Sequence, residues 1–126
     1  MDEGKIPKKV LIIEDYPPIV EMMENFLSLS GFKVITAPSG AVGLERAGRE
    51  RPDIILLDIM MPAMDGLEVC KKLKEDPKTA GIPVMIVSIK AAEEYKINGA
   101  KAGAVDYITK PFDPEELVAR VKKILG

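Results

Sequence analysis

The sequence predicts an α/β fold: a five-stranded parallel sheet, doubly wound, with helices on both faces. Three observations lead there. Five short apolar runs carry no sustained polar alternation, the pattern of strands buried on both faces. Segments with apolar residues at helical spacing separate these runs, and such alternation calls for parallel crossovers. The 126 residues are 47% hydrophobic with no repeat, linker or low-complexity tract, so 1–126 reads as one domain with its own core. Residues 1–8 read as a flexible tail.

The elements follow in order. The first strand is "KVLIIE" (9–14). Pro17 and Pro18 suit the first turn of helix one, whose buried stripe is Ile19, Met22, Met23, Phe26 and Leu27, and Gly31 ends it. The second strand is "KVITA" (33–37). Ser39 caps helix two, where Val42, Leu44 and Ala47 are apolar and Gly43 and Gly48 count against it. The third strand, "DIILLD" (53–58), stops on a carboxylate and enters a methionine-rich loop. Asp65 caps helix three, with Leu67, Cys70 and Leu73 on one face. "PVMIVS" (83–88) is the fourth strand. Helix four lies within "AAEEYKINGAKAGA" and is the poorest, since Gly99 and Gly103 interrupt it. After "AVDYIT" (104–109), helix five starts with Asp113 as N-cap, Pro114 behind it and Glu116 three residues on.

Composition excludes several functions. A net charge of -2 does not draw the chain to nucleic acid or to an anionic membrane. No run is long enough to span a bilayer, and "MDEGKIPKK" holds no signal segment. The single cysteine, Cys70, cannot form an internal disulfide and fits a reducing compartment, so the expected location is cytoplasmic. There is no histidine, which rules out Ser-His-Asp and Cys-His chemistry, imidazole metal sites and a phosphohistidine on this chain.

Ligands of such sheets sit beyond the carboxyl ends of the strands, where strand order reverses. Those ends carry Glu14 and Asp15 after the first strand, Asp58 on the third, Ser88 on the fourth and Lys110 after the fifth. In the order 2-1-3-4-5 the first and third strands are neighbours, and the three carboxylates converge. Two unit charges at about 4 Å repel by roughly 4 kcal/mol near a protein surface. A cation among them is therefore expected, and an all-oxygen set favours Mg²⁺ over zinc or copper. Lys110 adds a donor for phosphate oxygens and Ser88 a hydroxyl. Together they describe a pocket where Asp58 is the nucleophile that accepts a phosphoryl group. Taken singly, Ser88 reads equally as the cap of helix four, Lys110 as a surface lysine, Tyr107 as core and Cys70 as packing. Met60, Met61 and Met64, in the loop after Asp58, could meet a partner.

In "LIIED", "DIILLDIMMPAMDG", "VMIVS" and "GAVDYITKPF", in this order and spacing, the sequence resembles the receiver domains of two-component response regulators, of chemotaxis-receiver type and flavodoxin-like fold. The resemblance spans about 9–125. It implies Asp58 as phosphoacceptor, and Glu14 and Asp15 as the acidic pair that holds Mg²⁺ with Asp58 and the Met60 backbone carbonyl. Ser88 matches the hydroxyl switch and Tyr107 the aromatic switch. Lys110 matches the family lysine, followed by a Lys-Pro bond that is often cis in relatives. The implied function is a phosphorelay switch that catalyses only its own phosphorylation and dephosphorylation. Its output is a changed surface over helix four, strand five and helix five, with Tyr95, Lys96 and Lys122 expected exposed.

The donor must be another molecule: a histidine kinase, a phosphotransfer protein or a small donor such as acetyl phosphate. The implied partner is a downstream protein, with no direct nucleic-acid or membrane contact, for a monomer or weak dimer that reads as a stand-alone receiver. Two departures stand out. Glu14 takes the place of a commoner aspartate, and Ile89 follows Ser88 where relatives carry a small residue. Ile89 is expected to narrow access to Asp58, with Met60 and Lys90 flanking it. A pseudo-receiver with Ile89 blocking the pocket is the alternative. A phosphatase would need an acid where Met60 stands, and "EDYPPI" is unlike a flavin phosphate loop.

Overall fold

A computed structural model describes residues 6–63 and 65–126. Of the expected tail, 1–5 lies outside the described residues, as does Met64. The elements run β1 Lys9–Ile13, α1 Pro17–Leu29, β2 Lys33–Ala37, α2 Gly40–Glu50, β3 Ile54–Leu57, α3 Gly66–Glu75, β4 Val84–Ser88, α4 Glu93–Lys101, β5 Asp106–Thr109 and α5 Pro114–Leu125. The five strands form one parallel sheet in the order β2-β1-β3-β4-β5.

Alternate residues of the central strands feed two cores, which is why the sequence shows no polar alternation. Val10, Ile12, Ile54, Leu56, Met85 and Val87 meet Met23 and Leu27 of α1 and Leu117, Val118 and Val121 of α5. On the other face Leu11, Ile13, Ile55, Leu57 and Val84 meet Ala47 of α2 and Val69, Cys70 and Leu73 of α3. Cys70 is buried packing, as its spacing suggested.

The caps fall where the sequence placed them. Ser39 accepts from Val42 N–H, Asp65 from Leu67 N–H and Asp113 from Glu115 N–H. Gly31 ends α1 at φ +93°. Three expectations change. Phe26 is 39% exposed, because it stands at the edge of the α1 stripe rather than over the sheet. Gly43 does not weaken α2 idly: a Cβ there would lie 2.5 Å from Ile13 Cδ1, so its absence lets the helix seat on β1. Of the residues expected exposed, Lys122 is so, whereas Tyr95 and Lys96 are half-buried. Tyr95 lies beneath the Lys90 ammonium, 5.3 Å from its ring centroid.

Candidate functional site

The sheet register builds the site. Ile13 pairs with Leu57, so Glu14 and Asp58 leave neighbouring strands together. Backbone bonds fix both ends: Asp58 N–H donates to Ile13 O at 3.0 Å and Glu14 N–H to Ala37 O at 3.1 Å. One strand further over, Ser88 pairs with Thr109, and Lys110 N–H reaches Ser88 O at 2.7 Å. The Lys110–Pro111 peptide bond is cis.

Asp58 is only 5% exposed. Its Oδ1 accepts from Met60 N–H at 2.9 Å and its Oδ2 faces the Lys110 ammonium at 3.5 Å. Glu14, 3% exposed, accepts from the amides of Asp15 and Tyr16 and from the same ammonium. Burial pushes the Glu14 carboxyl above its ordinary range; the Lys110 hydrogen bond opposes this, and the Asp58 charge adds to it. Asp15 is exposed and completes the trio. One carboxylate oxygen from each of Glu14, Asp15 and Asp58 lies within 4.8 Å of the other two. Three hard oxygen donors at that spacing, two of them sunk in the sheet end, fit a divalent cation.

Ser88 is fully buried, and its Oγ accepts from Lys90 N–H at 3.1 Å. It does not cap α4, whose N-cap is Ala92 with no side-chain bond, because the helix starts too far along the loop for Ser88 to reach it. Tyr107 is half-buried, not fully core, and its hydroxyl donates to Lys90 C=O at 2.6 Å. Burial raises its phenol pKa, and the Ser88 hydroxyl beside it partly offsets this. The two groups singled out on β4 and β5 are thus joined through the peptide groups of Lys90.

Above Asp58 opens a cavity of 380 Å³ that also touches Glu14, Lys110, Met60 and Ile89. Ile89 stands at its rim, 62% exposed, and leaves it open. Sequence reading set Lys90 at the flank of the pocket but missed the part its backbone plays, and it missed Gly66. The Lys90 backbone carries no side-chain signal. A Cβ on Gly66 would fall 2.2 Å from Ile59 Cα and 2.7 Å from Asp58 O. It is the close approach of α3 that braces the Asp58 peptide.

The family model described as the response regulator receiver domain matches residues 10–122. The chain belongs to that family. Its receiver is 44% identical over 118 residues to the alkaline phosphatase synthesis transcriptional regulatory protein PhoP of Bacillus subtilis, covering 94% of this chain and 48% of the relative. The chain thus spans about half the length of that relative. Two solved structures share the fold. The Vibrio cholerae chemotaxis protein CheY4 has a TM-score of 0.90 at 30% identity, covering 94% of this receiver and 99% of that chain. A CheY-like receiver domain protein from Methanospirillum hungatei has a TM-score of 0.89 at 29% identity, covering 95% and 94%. The receiver is therefore a signalling domain of the two-component, phosphorylation-switched kind. Among the described residues no helix is long and apolar enough to cross a membrane.

Proposed function

We propose that the receiver accepts a phosphoryl group on Asp58 from a phosphohistidine of a kinase or phosphotransfer protein, and that this shifts its binding surface. The observation that carries the reading is the convergence on Asp58: a nearly buried carboxylate fixed by the Met60 amide, faced by Lys110 and shared with Glu14 and Asp15. An Asp58 oxygen forms the P–O bond while the donor's P–N bond breaks and its electron pair leaves with the imidazole nitrogen. Glu14, Asp15, Asp58 and the Met60 backbone carbonyl are the groups that would hold Mg²⁺. When bound, that ion supplies positive charge against the phosphoryl oxygens.

Lys110, 11% exposed at its side chain, brings a second positive charge from the carboxyl end of β5. Ser88 uses one lone pair to accept from Lys90, which leaves its O–H to donate to a phosphoryl oxygen. Moving towards that oxygen strains the Lys90 amide bond, and the Lys90 carbonyl holds Tyr107. Phosphorylation then favours one of two packings of α4, β5 and α5. Ile97 and Val105, 47% and 56% exposed, give that face an apolar contact for a downstream protein. We read 1–126 as a single receiver domain acting in the cytoplasm as a monomer or weak dimer, with no direct nucleic-acid contact of its own. A pseudo-receiver is not favoured, since the cavity over Asp58 is open and each chemical position is filled.

Beryllofluoride, a tetrahedral stand-in for the phosphoryl group, tests this reading. Added with Mg²⁺, it should shift the amide resonances of Asp58, Lys90 and Tyr107 in the wild type and leave Asp58→Asn unchanged. Unmoved resonances in the wild type would end the proposal.

A further inference from the structure

The sheet has two open edges, β2 and β5, and its hydrogen bonds show which peptide groups each one turns outwards. At β2, Lys33 N–H donates to Lys8 C=O and Ala37 C=O accepts from Glu14 N–H, so residues 33, 35 and 37 face β1. Backbone groups alternate sides along a strand, which leaves the N–H and C=O of Val34 and Thr36 pointing away from the sheet. At β5, Lys110 N–H donates to Ser88 C=O, and the same alternation turns Tyr107 outwards. Both Tyr107 groups are engaged: its N–H donates to Asp106 Oδ1 at 2.8 Å and its C=O accepts from Arg120 at 3.0 Å. At β2, among the described residues, a single side chain reaches the edge: Arg46 of α2 donates to Thr36 C=O. Val34, Ile35 and Thr36 are only half-buried. An edge of this kind is a template for another strand, and a charged side chain laid over it is one way a fold prevents that.

We infer that the β2 edge is a pairing surface for the β2 of a second copy of this chain, held shut by Arg46. A two-fold axis through Ile35 sets the two strands antiparallel, with Val34 opposite the second copy's Thr36, Ile35 opposite Ile35 and Lys33 opposite Ala37. Val34 and Thr36 both turn their peptide groups outwards, so each such pair exchanges two backbone bonds, four in the dimer. Lys33 meets an alanine, and no like charges oppose each other along the strand. Ile35, which packs on the core beneath α2 and α3, meets its own equivalent on the same face. Thr36 C=O is an acceptor that this pairing needs once in each copy, and Arg46 occupies it. Two of the four bonds are therefore withheld while the guanidinium stays in place. An isologous contact uses the same edge in both copies, so pairing stops at a dimer. The β5 edge, with both Tyr107 groups engaged, is not an equivalent surface.

Sedimentation equilibrium of the wild type, Arg46→Leu and the double variant Arg46→Leu with Thr36→Pro tests this, with circular dichroism to check the fold of each. Leucine is as good a helix former as arginine, so α2 should form in both variants. Proline removes the outward Thr36 N–H and is tolerated where an edge strand turns its N–H to solvent. The Arg46→Leu dimer should appear at about thirtyfold lower concentration than any wild-type dimer, the worth of the two backbone bonds regained per dimer. The double variant should return to the wild-type state of association. A folded Arg46→Leu that associates no more than the wild type overturns the inference. So does a double variant that dimerises as strongly as Arg46→Leu, or a species larger than a dimer. Should Arg46→Leu not fold, Arg46→Gln, whose side chain ends two atoms short of the arginine's reach, carries the same expectation and the same refutations. None of these outcomes depends on the chemistry at Asp58.

Discussion

Replacing Lys110 by methionine keeps most of the side-chain bulk and removes the ammonium that faces Glu14 and Asp58. Both carboxylate side chains are nearly buried, 3% and 6% exposed, and the lysine is 11% exposed. Stripping one partner from a buried pair costs about 3–5 kcal/mol, because the remaining charge loses its compensation without regaining water. The open cavity above the site returns some solvent, so the expected loss is near the lower end, about 3 kcal/mol. With a urea slope of about 1.5 kcal/mol per M, the unfolding midpoint should drop by roughly 2 M. The loss should depend on pH. The folded Glu14 carboxyl already titrates above 4.5, and losing the Lys110 hydrogen bond raises it further. Between 4.5 and that raised value the folded chain binds more protons than the unfolded one, so stability falls as pH rises through this window. The variant should therefore be most impaired at neutral pH and recover at acidic pH, as the window is crossed downwards. Urea titrations of both proteins at the two pH values, with and without Mg²⁺, measure this. A deficit below about 0.5 kcal/mol, or one equal at both pH values, would refute the account of the buried carboxylates.

Other substitutions probe the supports of the site. Gly66→Ala should destabilise by about 3 kcal/mol in thermal or urea unfolding, since the new Cβ meets backbone of Ile59 and Asp58 that cannot turn aside. Ala63→Gly should stabilise by about 0.5 kcal/mol, because Ala63 is held at φ +73°, where a Cβ is strained. Tyr107→Phe deletes the hydroxyl bond to Lys90 C=O and should cost about 1 kcal/mol, with the Lys90 and Ser88 amides shifting in NMR spectra.

Much of the fold was legible because a parallel sheet writes its strands as unbroken apolar runs and its helices as capped periodic ones. Ser39, Asp65 and Asp113 cap as read, and Glu14, Asp15, Asp58 and Lys110 meet as strand order requires. What escaped depends on close backbone approaches and on peptide groups, neither of which residue type reveals. Nothing near Gly43 in sequence signals that Ile13 will lie against it, and nothing near Gly66 signals the Asp58 carbonyl. The role of Lys90 is carried by its peptide groups, which every residue has, so its identity gave no warning. Ser88 read equally as a helix cap because its spacing allowed it; only the start of α4 at Glu93 decides against that. Phe26 fitted the α1 stripe by period, yet it is 39% exposed, while Ile19 and Met22 of the same stripe pack on the core.

On the proposed reading, Asp58 takes up a phosphoryl group in a cation-dependent way. The most direct measurement is the intact mass of the receiver after incubation with acetyl phosphate, with and without Mg²⁺, beside Asp58→Asn. One phosphate-sized increase is expected in the wild type with Mg²⁺, absent from the variant and from the metal-free reaction. A wild type that stays folded and gains no mass at any donor concentration, or an Asp58→Asn variant that gains it equally, would contradict the account.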